Sequence, residues 1–372
     1  MEWQVWLGIG AIVVALLALF VALGAWSQQA WMRRRDHRHA TPQSVQAAPQ
    51  VAVIVNPSKH SATGLRDRVH AHFAAAALPE PLWYETTVED PGKGQAQQAL
   101  ADGADIVIAA GGDGTVRAVA ETMVGTGKPM GVLPVGTGNL LARNLELPLT
   151  STDEALDVIV HGRTRAIDVG WLRVVEFADT PRNGDHPNQP DHEPDTEREH
   201  IFLVIAGLGF DAAMVATADS GLKKKVGWVA YFVAGLSHLQ ARRMRATLQL
   251  DDQPPVDARA RSIMVGNVGM LPGGVTLLPD AVLDDGVLDV AAVDVRGGVL
   301  GWAQLTFEIA LQGVGVRNDL PEKLGRIDHT KARRARIRVA AGEEAQVDGD
   351  PLGSAVEVDV RVQPGALQVR AP

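Results

Sequence analysis

The chain has no cysteine among its 372 residues. That excludes disulfides, iron–sulfur clusters and thiolate zinc sites, and fits a reducing compartment. It also lacks a histidine ligand set. His37 and His39, or His70 and His72, stand two apart, a spacing that does not put both on one helix face. Basic excess is missing as well. Residues 1–50 hold four Lys/Arg and two Asp/Glu, which leaves 31 against 42 in the remainder, a net of −11. Nucleic acid is therefore not an expected partner. Two common nucleotide loops are absent too. The spacing glycine, four residues, Gly-Lys-Ser/Thr occurs nowhere, and the dinucleotide fingerprint fails because Arg117 stands where its last glycine would be. No internal repeat is evident.

One further absence is local. Trp3 to Trp26 contains no charged residue, and at about 1.5 Å per residue it would extend roughly 36 Å as a helix, enough to cross a bilayer core of about 30 Å. Trp3 and Trp6 at one end, and Trp26 and Trp31 at the other, suit the two interfaces, and Arg33, Arg34, Arg35 and Arg38 follow directly. The expectation is a single-pass anchor in residues 1–32 with its basic flank and the catalytic domains on the cytoplasmic side of the cell membrane. A cleaved signal peptide would want positive charge before the apolar run, where only Glu2 is found. Since the domain is acidic, the span and its flank must supply most of the membrane affinity.

What is present beyond the linker at 33–50 is an alternation of short apolar runs with helical stretches. Strands are expected at Val51 to Val55, Leu82 to Thr86, Ile106 to Ala110 and Met130 to Val135. Helices are expected at Leu65 to Ala77, Gly94 to Ala101, Val116 to Val124 and Thr152 to His161. Such alternation makes a doubly wound parallel sheet, here over residues 51–167. Two of the strands run into glycine-rich turns. Gly111, Gly112 and Gly114 can take positive φ and let backbone N–H groups approach an anion, and the helix that follows would aim its first amides at the same point. Asp113 would be repelled by phosphate, so its expected job is to hold a metal, a water or a ribose hydroxyl. The second turn is Gly136-Thr137-Gly138-Asn139. A lone Gly-Gly is also an ordinary tight turn, but two such turns about 25 residues apart suit adjacent strands sharing a crevice. The N–H groups of Gly112 to Thr115 and the hydroxyls of Thr115 and Thr137 are expected to face it. Asn56, just past the first strand, could reach ribose or phosphate.

Asn56-Pro57, the Gly-Gly-Asp-Gly-Thr turn and Pro134 to Asn139 together resemble the catalytic domain of diacylglycerol kinases and related bacterial lipid kinases. The resemblance continues with Gly207 to Ala212, Leu278 to Ala281, Asp284 to Asp289 and Val347 to Asp350, in the family's order. It spans roughly residues 50–370 and implies ATP and Mg²⁺ as cofactors and a membrane lipid as acceptor. It also implies a nucleotide-contacting threonine at the end of the second strand, for which Thr87 is preferred over Thr86. A structural Mg²⁺ would be held by the carboxylate of Asp285 and the carbonyls of Val282 and Val287, although an Asp-Gly pair such as Asp285-Gly286 is by itself a hairpin signal. Asp350 would be the general base, standing where the family has glutamate. Aspartate reaches about 1.5 Å less, and a 1 Å misplacement can cost about a hundredfold. Leu140 is a second departure, replacing a family aspartate near the nucleotide, which would leave metal organisation to Asp113.

From Ala166 onward short strands and Gly, Pro and Asp turns read as an antiparallel β-sandwich over 168–372, with the last strands able to return to the first domain. Ala178 to His200 is nearly free of aliphatic residues and reads as a long mobile hairpin loop. Leu222 to Arg245 reads as a helix with basic ends, suited to a membrane surface or to a core. The leading expectation is an ATP-dependent kinase of a lipid hydroxyl, diacylglycerol first. A kinase for a soluble acceptor such as NAD, and a non-catalytic nucleotide-binding membrane protein, stand as rivals.

Overall fold

The computed structural model describes residues 48–58, 64–178, 195–209, 243–270, 278, 280–295 and 325–372. Ala48–Pro372 is one compact unit. The expected span at 3–26 lies outside the described residues, as do 179–194 of the expected loop and 222–242 of the expected basic helix. No helix among the described residues is long and apolar enough to cross a membrane.

The first half alternates as its hydrophobic pattern requires. In order come β1 (Val51–Val55), α1 (Leu65–Ala75), β2 (Leu82–Glu85), α2 (Lys93–Ala101), β3 (Ile106–Gly111), α3 (Asp113–Met123), β4 (Met130–Pro134), α4 (Leu140–Asn144) and α5 (Thr152–His161). The four strands pair in parallel in the order β4-β3-β1-β2. β1 and β3 are buried along their whole length, because helices cover both faces. Ala52, Ile54, Val107 and Ala109 pack with Ala96, Ala99, Val119 and Met123 of α2 and α3. The alternate residues Val53, Val55, Ile106 and Ile108 pack with Leu65, Val69 and Phe73 of α1 and Leu156 and Ile159 of α5. A strand covered twice has no polar face, hence the unbroken apolar runs.

The second half is antiparallel, with β5 (Arg163–Phe177), β6 (Glu199–Phe202), β7 (Ile205–Leu208), β8 (Met244–Leu250), β9 (Val256–Ala260), β10 (Ser262–Gly266), β11 (Leu288–Val295), β12 (Gly325–Ala332), β13 (Arg334–Val347) and β14 (Asp350–Ala371). Inward residues of β5, β7, β8, β10, β11, β13 and β14 share a second core around Phe202, Leu208, Leu248, Val290 and Val358. β5 runs across the boundary expected at 167 and 168. β14, 22 residues long, pairs with β13 and β5 and then in parallel with β4 through Val369 and Met130, so the sheet is continuous from one half to the other.

Several boundaries shift by one or two residues from the sequence reading, and three differences bear on the site. α3 begins at Asp113, not at Val116, so the glycine turn shrinks to the single N-cap residue Gly112. Glu199 and His200, expected in a loop, form β6, since Glu199 is gripped through both carboxylate oxygens by Arg361 at 2.8 and 2.6 Å. Met244 and Arg245, expected at a helix end, begin β8, where Met244 is buried.

Candidate functional site

The first glycine turn sits at the carboxyl end of β3, beside the start of α3. None of Gly111, Gly112 and Gly114 has positive φ, so the expected left-handed turn gives way to a different use of glycine. Gly112 is extended, with φ −87° and ψ −175°. A Cβ on Gly111 would stand 2.4 Å from Cβ of Thr115, and a Cβ on Gly136 would stand 2.6 Å from Cα of Gly112. These glycines let chains approach closely. Gly114 differs, because a Cβ there meets nothing within 4 Å. Its position in the first turn of α3 faces open space. Thr115 is 3% exposed and lies over Gly111, so the expectation that its hydroxyl opens on the crevice is corrected. Its backbone N–H remains one of the first-turn donors.

The second turn closes on itself and on the first. Asn139, at φ 49°, accepts from the Gly136 N–H at 3.1 Å and donates to the Gly136 carbonyl at 2.9 Å. Asp113 then accepts from the N–H groups of Asn139 at 3.1 Å and Leu140 at 2.6 Å. Burial pushes the Asp113 carboxyl pKa up, against the pull of those two amides. Asp113 therefore spends both oxygens pinning α4 to α3, a role the sequence reading had not given it. Leu140, the departure noted above, joins this network through its backbone. Thr137 is exposed at the tip of the turn. The helix starts differ in what fills them. Asp90 accepts from the N–H groups of Gly92, Lys93 and Gly94 at the start of α2, Ser151 caps α5 through Glu154, and Asp113 serves α4. α1 and α3 have no side-chain cap, and α3 is the one that starts against the second glycine turn, where its first amides are left to an outside acceptor.

The flanking candidates lie at the same carboxyl edge. Asn56 follows β1, with its N–H on the Ala110 carbonyl at 3.0 Å and its side-chain oxygen accepting from the N–H and hydroxyl of Ser58 at 3.0 and 2.7 Å. Thr86 is buried and bonded to the Val55 carbonyl. Thr87 is exposed, and its hydroxyl accepts from the Asp90 N–H at 3.0 Å.

Asp350 comes to this edge from the far end of the chain. Asp348 and Gly349 have φ values of 48° and 87°, which suits the two-residue turn of the β13–β14 hairpin. The hairpin signal at Asp285-Gly286 proved a loop before β11, whereas the same dipeptide at 348 and 349 makes the hairpin. Asp348 is half-buried, and its carboxylate accepts from the N–H groups of Leu203, Val204 and Ile205 at 2.8, 2.9 and 2.9 Å. Burial pushes its pKa up to about 6. The turn is thereby fixed, and Asp350, next along, pairs with Arg117 of α3. Arg117 lies four residues beyond Asp113, about 6 Å further along the helix. Its Nε is buried without a partner. His200 feels the same guanidinium, and burial first, then Arg198 and Arg117, lowers its pKa to about 4. Arg117, Asp348 and His200 escaped the sequence reading because the distant partners named here lie about 80 to 233 residues away. Only the Asp-Gly hairpin signal pointed toward Asp348.

At the third expected site, the Asp285 carboxylate accepts from Val287 N–H at 3.2 Å and from the Lys331 ammonium at 2.6 Å. Val282 is 44% exposed, and Val287 precedes β11. Among the described residues no three His, Cys, Asp or Glu side chains gather as a metal-holding group. The ammonium holds one carboxylate oxygen of Asp285 and the Val287 N–H the other, so these residues as placed offer a divalent ion no unengaged carboxylate oxygen.

Comparison with known proteins agrees with this arrangement. The profile described as "Diacylglycerol kinase catalytic domain" matches residues 50–172, and that described as "YegS C-terminal NAD kinase beta sandwich-like domain" matches 204–371. The diacylglycerol kinase of Mycobacterium tuberculosis (strain ATCC 25618 / H37Rv) is 28% identical over 277 residues, covering 74% of this chain and 79% of that protein. The probable lipid kinase YegS-like of Pseudomonas fluorescens is 30% identical over 284 residues, covering 74% and 80%. A Synechocystis protein is 28% identical over 285 residues but longer, the chain spanning 57% of its length. A diacylglycerol kinase crystal structure from Bacillus anthracis str. Sterne shares the fold at a TM-score of 0.62 and 22% identity, covering 88% of this chain and 99% of that one. The chain belongs to the diacylglycerol kinase catalytic-domain family of kinases.

Proposed function

We propose that the protein transfers the γ-phosphate of ATP to the hydroxyl of a membrane lipid, diacylglycerol first, giving phosphatidic acid. The observation that carries this reading is the start of α3, uncapped and open at Gly114, with Asp350 drawn to the same helix by Arg117. The N–H groups of Gly112 to Thr115, with Gly136 and Thr137 opposite, bind the phosphates, and Asn56 and Thr87 border the nucleotide. Asp350 takes the proton of the lipid hydroxyl as its oxygen attacks the γ-phosphorus and ADP leaves. Mg²⁺ bound with ATP supplies neutralisation of the phosphate charge. Asp350 starts in an ion pair with Arg117, so release of that guanidinium toward the incoming phosphates frees the carboxylate for the proton. We place the chain at the cytoplasmic face of the cell membrane, anchored through residues 3–26, because tethering concentrates the domain where its acceptor dissolves.

The test is transfer of labelled γ-phosphate by the detergent-solubilised full-length chain with Mg²⁺ and mixed lipid micelles, NAD being offered in parallel. Label in a lipid, lost in Asp350→Asn while ATP still binds, is the expected result. Label in NAD, or none in any acceptor despite ATP binding, would overturn the lipid-kinase reading.

A further inference from the structure

The turn at 280–289 carries four aspartates, and each has a basic partner. Asp284 turns outward to Arg165 at 2.9 Å. Asp285 accepts from Lys331 Nζ at 2.6 Å, the Asp280 carbonyl accepts from the same ammonium at 2.8 Å, and Asp289 lies 3.8 Å from it. His329 Nε2 is 3.2 Å from Asp289 and 3.5 Å from Asp280. The inner side of the turn is closed independently by Asp168, which accepts from the N–H groups of Gly286 at 2.6 Å and Gly365 at 2.7 Å.

We infer that the Lys331 ammonium is the cation that closes this turn, in the place where the family resemblance expects a structural divalent ion. The sheet itself delivers it. In the β11–β12 register Lys331 stands opposite Asp289, and His329 stands opposite Ala291, two residues along on the same face. An ammonium has three N–H donors and no acceptor, and here it meets one carboxylate and one carbonyl within hydrogen-bond distance, with a second carboxylate beyond them. Mg²⁺ asks for six oxygens near 2.1 Å in octahedral array. A dication seated on Asp285 would lie within about 4 Å of Nζ, close enough for like charges to repel even at the surface. The internal cation also needs no loading step, so the turn holds its shape whatever the divalent-ion level, and the metal requirement of the protein is confined to the nucleotide.

The test uses the nucleotide-free full-length chain. Thermal unfolding of the wild type should give the same Tm, within about 0.5 °C, in EDTA and in millimolar Mg²⁺, while Lys331→Met should lower Tm by roughly 1–2 °C, the shift from one partly exposed ionic contact being small in a unit of this size. A wild-type Tm that rises by several degrees with Mg²⁺, the rise vanishing in Asp285→Asn, would overturn the inference, as would a Lys331→Met variant as stable as wild type. Should Lys331→Met fail to fold, titration of the wild type with Mn²⁺, followed by its paramagnetic resonance, decides instead. Absence of a stoichiometric site supports the ammonium, and a site lost in Asp285→Asn refutes it. These readouts are independent of phosphotransfer and stand or fall apart from the acceptor.

Discussion

At the scale of single residues, Gly114 separates fold from function most sharply. It occupies the first turn of α3 with space around it, so alanine there should fit the empty protein. Alanine also favours helix over glycine by up to about 1 kcal/mol. The same methyl would stand among the amides proposed to receive phosphate. We expect Gly114→Ala to raise the unfolding midpoint slightly and to weaken ATP binding at least tenfold, measured by calorimetric titration. Unchanged ATP affinity would remove α3 from the phosphate site. His200 gives a pH-dependent counterpart. Its folded pKa, about 4, lies below the ordinary value of 6.5, so between those values the unfolded chain binds more protons and stability falls as pH falls. Asp348, raised to about 6 from 3.8, has the opposite sign. The folded state binds its proton first, so stability rises as pH falls from about 6. The two slopes offset in the wild type. His200→Gln keeps only the Asp348 slope, so its Tm minus that of wild type should be more positive at pH 5 than at pH 7. Equal differences at both pH values would refute the assignment.

At the scale of elements, the sequence showed most of what short-range pattern can show. Thr152 to His161 and Val51 to Val55 were legible to the residue, since one carries a capping serine and a 3.6-residue apolar stripe and the other is an unbroken buried run. The glycine turn was legible as a turn but not in its geometry. Three glycines in four residues suggested positive φ, whereas crowding by Thr115 sets the identity of Gly111 and Gly114 meets open space. Pairing between distant elements was invisible, as Asp113 to α4, Asp168 to two loops and Asp348 to residues 203–205 all show. Asp348 tests how far such anchoring governs the site. Its removal leaves three partly buried amides unpaired, at about 1–3 kcal/mol each where no water replaces the carboxylate. Asp348→Ala should therefore destabilise the chain by about 3–5 kcal/mol in urea unfolding. In preparations that remain folded, it should depress kcat far more than the KM for ATP, because Asp350 moves and the phosphate turns do not. A loss confined to the ATP KM would contradict that placement.

At the scale of the whole molecule, β14 makes the two halves interdependent. Its first residue is the candidate base, and its far end pairs with β4, buries Leu367 and Val369 in the core of the parallel sheet, and sends the Arg370 guanidinium to the carbonyls of Ile159 and Val160 at the end of α5. One strand thus holds Asp350 at one end and the nucleotide half at the other. A chain truncated after Gly365 would lose the strand that pairs with β4 on that side among the described residues and expose Met130 to Leu133 as an open apolar edge, a site for pairing with other chains. It would also remove the side chains of Leu367 and Val369, each contributing about 1.5–3 kcal/mol on full burial. Together these losses rival the 5–15 kcal/mol total stability of a typical domain. The truncated chain should therefore aggregate or unfold as a whole, with its parallel half losing amide-exchange protection along with the sandwich. Retention of native protection in β1 and β3 after truncation would show instead that the nucleotide half stands alone and that the returning strand serves only to carry Asp350.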